Sequence, residues 1–297
     1  GVIREMKQNA EGQKNSKKRG GVWKILAVLL LAVIILCGVL WHFSDNSTFE
    51  VTFYRVSDTK IGDPIRAVLL ADLHNGEFGD GNEELTDTII SLEPDIILMA
   101  GDMVNGDEPD ISAVMDLCES LAEAAPIYYI LGNNEGELIY EEGGPQVPLD
   151  LELQNAGVQV LYDGWTETEL NGNQVIIGAA PYEPAHVPED FPDFIREFGE
   201  EEGFKILISH YPSMYYELLA EARFDLAVAG HFHGGLIRLP NGAGLYHVDE
   251  GSFPKVCYGK VALKYGDLIV SRGLGSHDGL PRINNRPELV VIDISHT

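Results

Sequence analysis

The stretch Arg66-Ala67-Val68-Leu69-Leu70-Ala71-Asp72-Leu73-His74 decides the fold class of this 297-residue chain. Its first part is a continuous apolar run, which is typical of a β-strand covered on both faces. The run ends at an aspartate and a histidine two positions apart, and such a pair lies on one side of an extended backbone. We therefore predict a buried strand that delivers two polar side chains at its carboxyl end.

Two more apolar runs follow, at 95–100 and 127–131, and the segments between them have helical patterns at 83–92 and 110–124. This β-α-β-α-β alternation predicts an α/β sheet with helices on its faces. More strands are predicted at 49–54, 158–161, 173–178, 205–209, 225–229, 236–239, 260–263, 267–271 and 288–294, and more helices at 149–155, 190–200 and 213–222. So many strands exceed one ordinary sheet and indicate two packed sheets flanked by helices.

The buried strands are followed by residues that can bind a metal ion. In chain order these are Asp72-Leu73-His74, Gly101-Asp102, Gly132-Asn133-Asn134-Glu135, His210 and Gly230-His231-Phe232-His233. Ligands of open α/β sheets collect beyond the carboxyl ends of the strands, so we expect these side chains to converge on one edge. Each match is weak by itself, but the ordered set indicates a metal centre.

The pair His231 and His233 is the centre of this pattern. Two imidazoles one residue apart point into one small volume, and the flanking glycines let the backbone turn sharply around a bound group. A mixed set of imidazole, carboxylate and amide ligands suits Mn²⁺, Fe or Zn²⁺ better than Ca²⁺ or Mg²⁺. The sequence contains no Cys-x-x-Cys, which excludes a thiolate zinc site.

This series of motifs resembles the calcineurin-like metallophosphoesterase family, and within it the bacterial members with a membrane anchor. The match spans residues 66 to about 235. The resemblance implies a four-layer α/β/β/α sandwich of two mixed sheets. It also implies hydrolysis of a phosphoester or pyrophosphate bond by water that two divalent metal ions activate.

The resemblance also implies which residues hold the two ions. One ion would be bound by Asp72, His74 and His233, the other by Asn133, His210 and His231, and Asp102 would bridge them. Two cations about 3.5–4 Å apart need a shared anion between them, which agrees with this division.

One position departs from the family pattern. Asn134 stands where the family has a histidine that contacts the phosphate and protonates the leaving group. Asparagine cannot act as an acid, although its amide can still hydrogen-bond a phosphate oxygen. The departure favours substrates with an acidic leaving group, a substitute residue such as His277, or a metal-binding member with weak catalysis. A purely structural domain, with all the matches coincidental, is the remaining alternative.

The first 41 residues differ in composition from the rest of the chain. Residues 1–21 are basic and are predicted to be a cytosolic tail; 22–41 is almost wholly apolar and is predicted to be a transmembrane anchor. The positive-inside rule then places the phosphoesterase domain, 48–297, on the extracytoplasmic side of the cell membrane. A cleaved signal peptide is the rival interpretation.

The formal net charge of -27 indicates which classes of molecule the protein can bind. Such a field repels polyanions, which argues against nucleic acid as a partner. Surface charges are screened within about 8 Å at physiological salt, so a phosphorylated small molecule or a lipid head group remains the expected partner. Arg272, Arg282 and Arg286 either clamp its phosphate or pair with carboxylates. Cys118 and Cys257 form one disulfide or stay as thiols.

Overall fold

The computed structural model describes residues 24–36, 38, 47–181, 187–189, 191–247, 250–276 and 282–297. The chain divides into two compact units, Gly1–Ser44 and Asp45–Thr297. In the first unit, residues 24–36 form helix α1, whose side chains are exposed. Across the described parts of the chain, no helix combines the length and the apolarity needed to cross a membrane. The predicted anchor at 22–41 extends beyond the described residues at both ends.

The second unit contains two six-stranded mixed sheets and a short hairpin. In spatial order, the first sheet consists of β1 (Glu50–Ser57), β14 (Glu288–Ser295), β2 (Ile65–Leu70), β3 (Ile96–Ala100), β4 (Ile127–Ile130) and β5 (Gln159–Leu161). The second consists of β12 (Gly259–Ala262), β13 (Asp267–Val270), β9 (Leu226–Ala229), β8 (Phe204–Ile208), β7 (Asn173–Ala179) and β6 (Gly164–Leu170). The hairpin pairs β10 (Tyr246–His247) with β11 (Gly251–Ser252).

The strands that precede the predicted ligands are parallel within each sheet. In the first sheet β2, β3, β4 and β5 run in one direction, and β14 is antiparallel to β2. In the second sheet β7, β8, β9 and β13 are parallel, and the edge strands β6 and β12 are antiparallel to their neighbours. Parallel strands present their carboxyl ends at one edge, which is where the candidate ligands lie.

Helices cover the outer face of each sheet. They are α2 (Glu83–Ser91), α3 (Ser112–Ala122), α4 (Asn133–Tyr140), α5 (Leu149–Asn155) and α6 (Phe191–Glu200). Strand β2 shows how one sequence serves two layers: Val68 and Leu70 face the cluster shared with the helices, while Ala67 and Leu69 face the cluster between the sheets. The predicted sandwich of two mixed sheets flanked by helices is confirmed.

Several elements differ from the sequence prediction. Strand β6 was missed because it is an edge strand of alternating polar residues, with little apolar signal. The predicted strand at 236–239 is reduced to isolated bridges at Ile237 and Arg238. In place of the predicted helix at 213–222 there is a 3-10 turn, Pro212–Tyr216, which the Tyr215 hydroxyl ties to backbone carbonyls of β8 and β9.

The two cysteines of the second unit are separate buried thiols. Cys118 lies on α3, and its Sγ is 3.8 Å from Sδ of Met99 on β3. The disulfide alternative is therefore wrong for this structure.

Candidate metal centre

The loops that follow five parallel strands supply the site. Asp72 and His74 follow β2, Asp102 follows β3, and Asn133 begins α4 directly after β4. His210 follows β8, and the two histidines of the Gly-His-x-His stretch follow β9. The two sheets thus contribute candidate ligands from segments up to about 160 positions apart. Among the described residues, the histidines and aspartates of this set form two groups.

The first cluster consists of Asp72, His74 and His233, all buried. One ligand atom of each lies within 4.8 Å of the others. The Nε2 atoms of the two imidazoles are 3.3 Å apart, and the rings are stacked. Two ring nitrogens at this distance need a proton or a cation between them, because two lone pairs repel each other.

The second cluster consists of Asp102, His210 and His231, also buried and also within 4.8 Å by one ligand atom each. Nδ1 of His231 lies 3.1 Å from Nε2 of His210. The structure thus brings together the three residues expected to bind the first ion, and it places His210 and His231, expected to bind the second, beside Asp102.

Asp102 lies between the clusters. Its Oδ2 is 3.2 Å from Nε2 of His210 in the second cluster and 3.9 Å from Nε2 of His74 in the first. A carboxylate in this position can contact two cations at once, as a bridging ligand must.

Hydrogen bonds on the outer side fix the orientation of two imidazoles. Nδ1 of His74 lies 3.0 Å from Oδ1 of Asn105, and Nδ1 of His210 lies 2.7 Å from the carbonyl oxygen of Ala100. Both partners are acceptors, so each Nδ1 carries a proton and each Nε2 points toward the centre. This is the arrangement expected of metal-binding histidines.

Burial and neighbouring charges shift the pKa values of the ionisable side chains in the centre. Burial raises the pKa of Asp72 to about 7. Burial alone would also raise the pKa of Asp102, but the charge and hydrogen bond of His210 outweigh it and lower this pKa well below its usual range. Conversely, burial opposes the charged form of His210, yet Asp102 raises the pKa of His210 to about 9. Burial and the neighbouring His74 lower the pKa of His233. Asp102 and His210 therefore stabilise each other's charged forms.

The ligand backbone is strained. Five ligands have left-handed φ angles: Asp72 (54°), His74 (50°), Asp102 (54°), His231 (69°) and His233 (45°). Non-glycine residues in this region cost about 1–3 kcal/mol each and persist only where the surrounding structure imposes them. The fold thus holds these side chains at the centre at the expense of local backbone strain.

Gly230 allows the two sheets to approach each other beside the first cluster. A Cβ at this position would lie 2.7 Å from Cβ of Ala71 and 2.8 Å from Oδ2 of Asp72. Both distances are shorter than van der Waals contact, so a side chain here would displace a ligand.

Asn133 and Asn134 have different environments. Oδ1 of Asn133 accepts a hydrogen bond from the hydroxyl of Tyr211 at 3.2 Å. Asn134 is buried: its Nδ2 donates to Oδ2 of Asp102 at 2.8 Å, its backbone N–H donates to Oδ1 at 2.9 Å, and its Oδ1 accepts from the N–H of Gly106. The amide of Asn134 thus holds the carboxylate of Asp102 in place.

Glu135 was part of the quoted motif, but its role was not predicted. The buried carboxylate accepts hydrogen bonds from the backbone N–H groups of Asp102, Met103 and Gly132 and from the hydroxyl of Tyr129, at 2.6–2.8 Å. Burial, with repulsion from Asp102, raises its pKa, and the donors oppose that rise. Glu135 therefore fastens two ligand loops together.

His247 is not part of the series of motifs in the sequence, but it lies against the second cluster. Its ring centroid is 4.7 Å from that of His231, and its Nε2 is 3.2 Å from the carbonyl oxygen of His231. It comes from the hairpin strand β10, whose position no local sequence signal reveals.

Two of the three arginines singled out in the sequence have partners within the fold. Arg272 is buried and pairs with Glu288 at 3.0 Å and with Glu50, as the structural alternative supposed. Arg282 is also buried and places Nη2 3.1 Å from Nδ1 of His233, behind the first cluster. His277, the candidate substitute for the missing histidine, lies outside the described residues.

The donor set fits two divalent transition-metal ions. Each cluster offers two imidazoles and a carboxylate in a buried space, and Asp102 can be shared. Such sites favour Mn²⁺, Fe or Zn²⁺ over ions that prefer oxygen ligands alone.

The chain resembles several known proteins in sequence or in structure. The chain is 27% identical over 266 residues to "Phosphodiesterase YaeI" of Escherichia coli, which covers 85% of the chain and 91% of that protein. It is 26% identical over 280 residues to the "Uncharacterized metallophosphoesterase YkoQ" of Bacillus subtilis, covering 88% and 97%. Among solved structures, a 5'-nucleotidase precursor from Thermus thermophilus aligns with a TM-score of 0.44 at 16% identity, over 79% of this chain and 55% of that one.

The family model described as calcineurin-like phosphoesterase matches residues 65–235, a segment that begins at β2 and ends just after His233. This segment includes both His/Asp clusters and more than half of the chain. The chain therefore belongs to the calcineurin-like phosphoesterase family and is a metal-dependent hydrolase of phosphoester bonds.

Proposed function

We propose that the enzyme cleaves phosphodiester or pyrophosphate bonds whose leaving group is acidic. The observation that carries this proposal is the environment of Asn134. Its amide is bound to Asp102 and Gly106, and an amide has no acidic proton to give to a departing alkoxide. The diester class is supported by the resemblance to a protein that is named a phosphodiesterase.

The residues of the site have separable tasks in this proposal. The two ions, when bound, would polarise the phosphoryl oxygens and lower the pKa of water. Asp72, His74 and His233 would hold one of them, and Asn133, His210 and His231 the other. Asp102 would share its carboxylate between both, and Asn134 and Glu135 would keep the loop of Asp102 in place. A leaving group that is stable as an anion needs no acid, so its departure does not depend on residue 134.

A series of aryl and alkyl phosphodiesters tests the proposal. With added Mn²⁺ we expect the rate to fall steeply as the pKa of the leaving group rises, because a missing general acid typically costs about 10²–10⁴-fold for a poor leaving group. Asn134→His should raise the rates of the alkyl esters more than those of the aryl esters. Removal of the metal with a chelator should abolish all turnover.

Asn155→His serves as the matched control, because Asn155 is exposed at the end of α5. Equal rates for alkyl and aryl esters in the wild type would refute the leaving-group proposal. Metal binding without turnover of any ester would instead support a metal-binding member with weak catalysis, which the loss of the histidine also favours.

We further propose that the amino-terminal segment anchors the enzyme in the cell membrane, with the phosphoesterase domain on the extracytoplasmic side. The support is the apolar run 22–41 behind the basic residues Lys17, Lys18 and Arg19. We expect the full chain to remain in the membrane after an alkaline carbonate wash and to be cleaved by external protease in spheroplasts. Release by the wash, or protection from protease, would contradict the proposal. If the enzyme is anchored in this way, a phospholipid head group or a cell-wall phosphoester is a substrate within its reach.

A further inference from the structure

Tyr211 directly follows His210 and contacts the residues expected to bind the second ion. Its hydroxyl lies 3.2 Å from Oδ1 of Asn133. Its ring centroid is 4.0 Å from that of His231, and 5.3 Å from that of His210 in a perpendicular arrangement. One side chain thus touches all three non-bridging ligands expected for that ion.

The contact with Asn133 has a chemical consequence. An amide binds a metal ion only through its oxygen, and Oδ1 has two lone pairs. A hydroxyl that donates to one lone pair fixes the orientation of the amide and leaves the other lone pair for an ion. Outer partners of this kind fix ligand orientation, and their loss typically lowers metal affinity about 10–100-fold.

We propose that Tyr211 is a positioning residue that sets the metal affinity of the second cluster and leaves the first cluster unaffected. The proposal rests on the two-metal centre of the proposed function. Asn105 is the corresponding outer partner of the first cluster, because its Oδ1 lies 3.0 Å from Nδ1 of His74. The two residues contact different ligands, so their effects should be separable.

Mn²⁺ binding to the full chain tests this separation without reference to turnover. His74→Ala disables the first cluster, and His231→Ala disables the second. In the His74→Ala background we expect Tyr211→Phe to raise the dissociation constant of Mn²⁺ about tenfold or more. In the His231→Ala background we expect no change from Tyr211→Phe, whereas Asn105→Ala should weaken binding there.

The Phe variant retains the aromatic ring, so it isolates the hydroxyl, and Tyr211→Leu then measures the contribution of the ring. Tyr216→Phe is the control, because Tyr216 lies in the same segment and is exposed. Electron paramagnetic resonance of the otherwise unaltered chain gives a second reading: Tyr211→Phe should replace the signal of coupled manganese pairs by that of single ions at limiting Mn²⁺.

The outcomes are distinguishable. If Tyr211→Phe weakened Mn²⁺ binding equally in both backgrounds, the effect would be a general loosening of the fold and the proposal would be overturned. Unchanged Mn²⁺ affinity in both backgrounds, together with an intact signal of coupled manganese pairs, would also overturn it. Failure of the unaltered chain to bind two Mn²⁺ ions would overturn the proposed two-metal function itself.

Discussion

Asp102→Asn should reduce kcat/KM for an aryl phosphodiester by more than about 100-fold, since loss of an outer partner alone can cost that much in activity or metal affinity. The carboxylate lies between both clusters, 3.2 Å from His210 and 3.9 Å from His74. The amide keeps the shape but removes the negative charge that two adjacent cations need between them. Steady-state kinetics with added Mn²⁺, together with the metal content per chain, measures the effect.

Asp116→Asn is the matched control, because Asp116 is an exposed aspartate on α3. It should leave both the kinetics and the metal content unchanged. If Asp102→Asn kept two bound ions and most of the activity, the bridging role would have to be abandoned.

Glu135→Ala should lower the free energy of unfolding by about 4 kcal/mol or more, because four buried donors lose their acceptor and each costs at least about 1 kcal/mol. Four donors lose their partner: the N–H groups of Asp102, Met103 and Gly132 and the hydroxyl of Tyr129. Urea unfolding of the metal-free chain gives the difference without a contribution from bound ions.

Glu141→Ala provides the comparison, since Glu141 is exposed just after α4 and its replacement should change stability by less than about 0.5 kcal/mol. The stability of Glu135→Gln should lie between those of Glu135→Ala and Glu141→Ala, because the glutamine oxygen can still accept from some of the donors. Equal stability of the Glu135→Ala variant and the wild type would mean that the ligand loops are held by other contacts.

The sequence predicts those parts of the fold in which the local residue pattern is compatible with only one kind of element. Strand β2 is apolar at every buried position because it has a helix layer on one side and a sheet on the other. Strand β6 lies at a sheet edge and alternates polar residues, so its position depends on pairing with β7, which a local pattern does not show. The segment at 212–216 is a 3-10 turn because Tyr215 bonds across to β8 and β9.

The ligands of the site are predictable for a similar reason. They follow buried strands directly, so local pattern and strand direction place them together. The residues around them are not predictable in this way: His247 reaches His231 from a hairpin, and Asn105 reaches His74 from the next loop. The sequence also shows that Asn134 lacks an acidic proton, but only the structure shows that its amide faces Asp102.

The left-handed backbone at Asp72, His74, Asp102, His231 and His233 has a consequence for how the enzyme obtains its ions. The conformational cost is met when the chain folds, so an arriving cation finds its ligands already in place and does not have to gather them. A cation can then leave and be replaced while the protein stays folded. Divalent first-row ions compete for such ligands in the order of their intrinsic affinity, weighted by supply. We therefore expect the metal found in the enzyme to depend on the supply of divalent ions around it as much as on its own sequence.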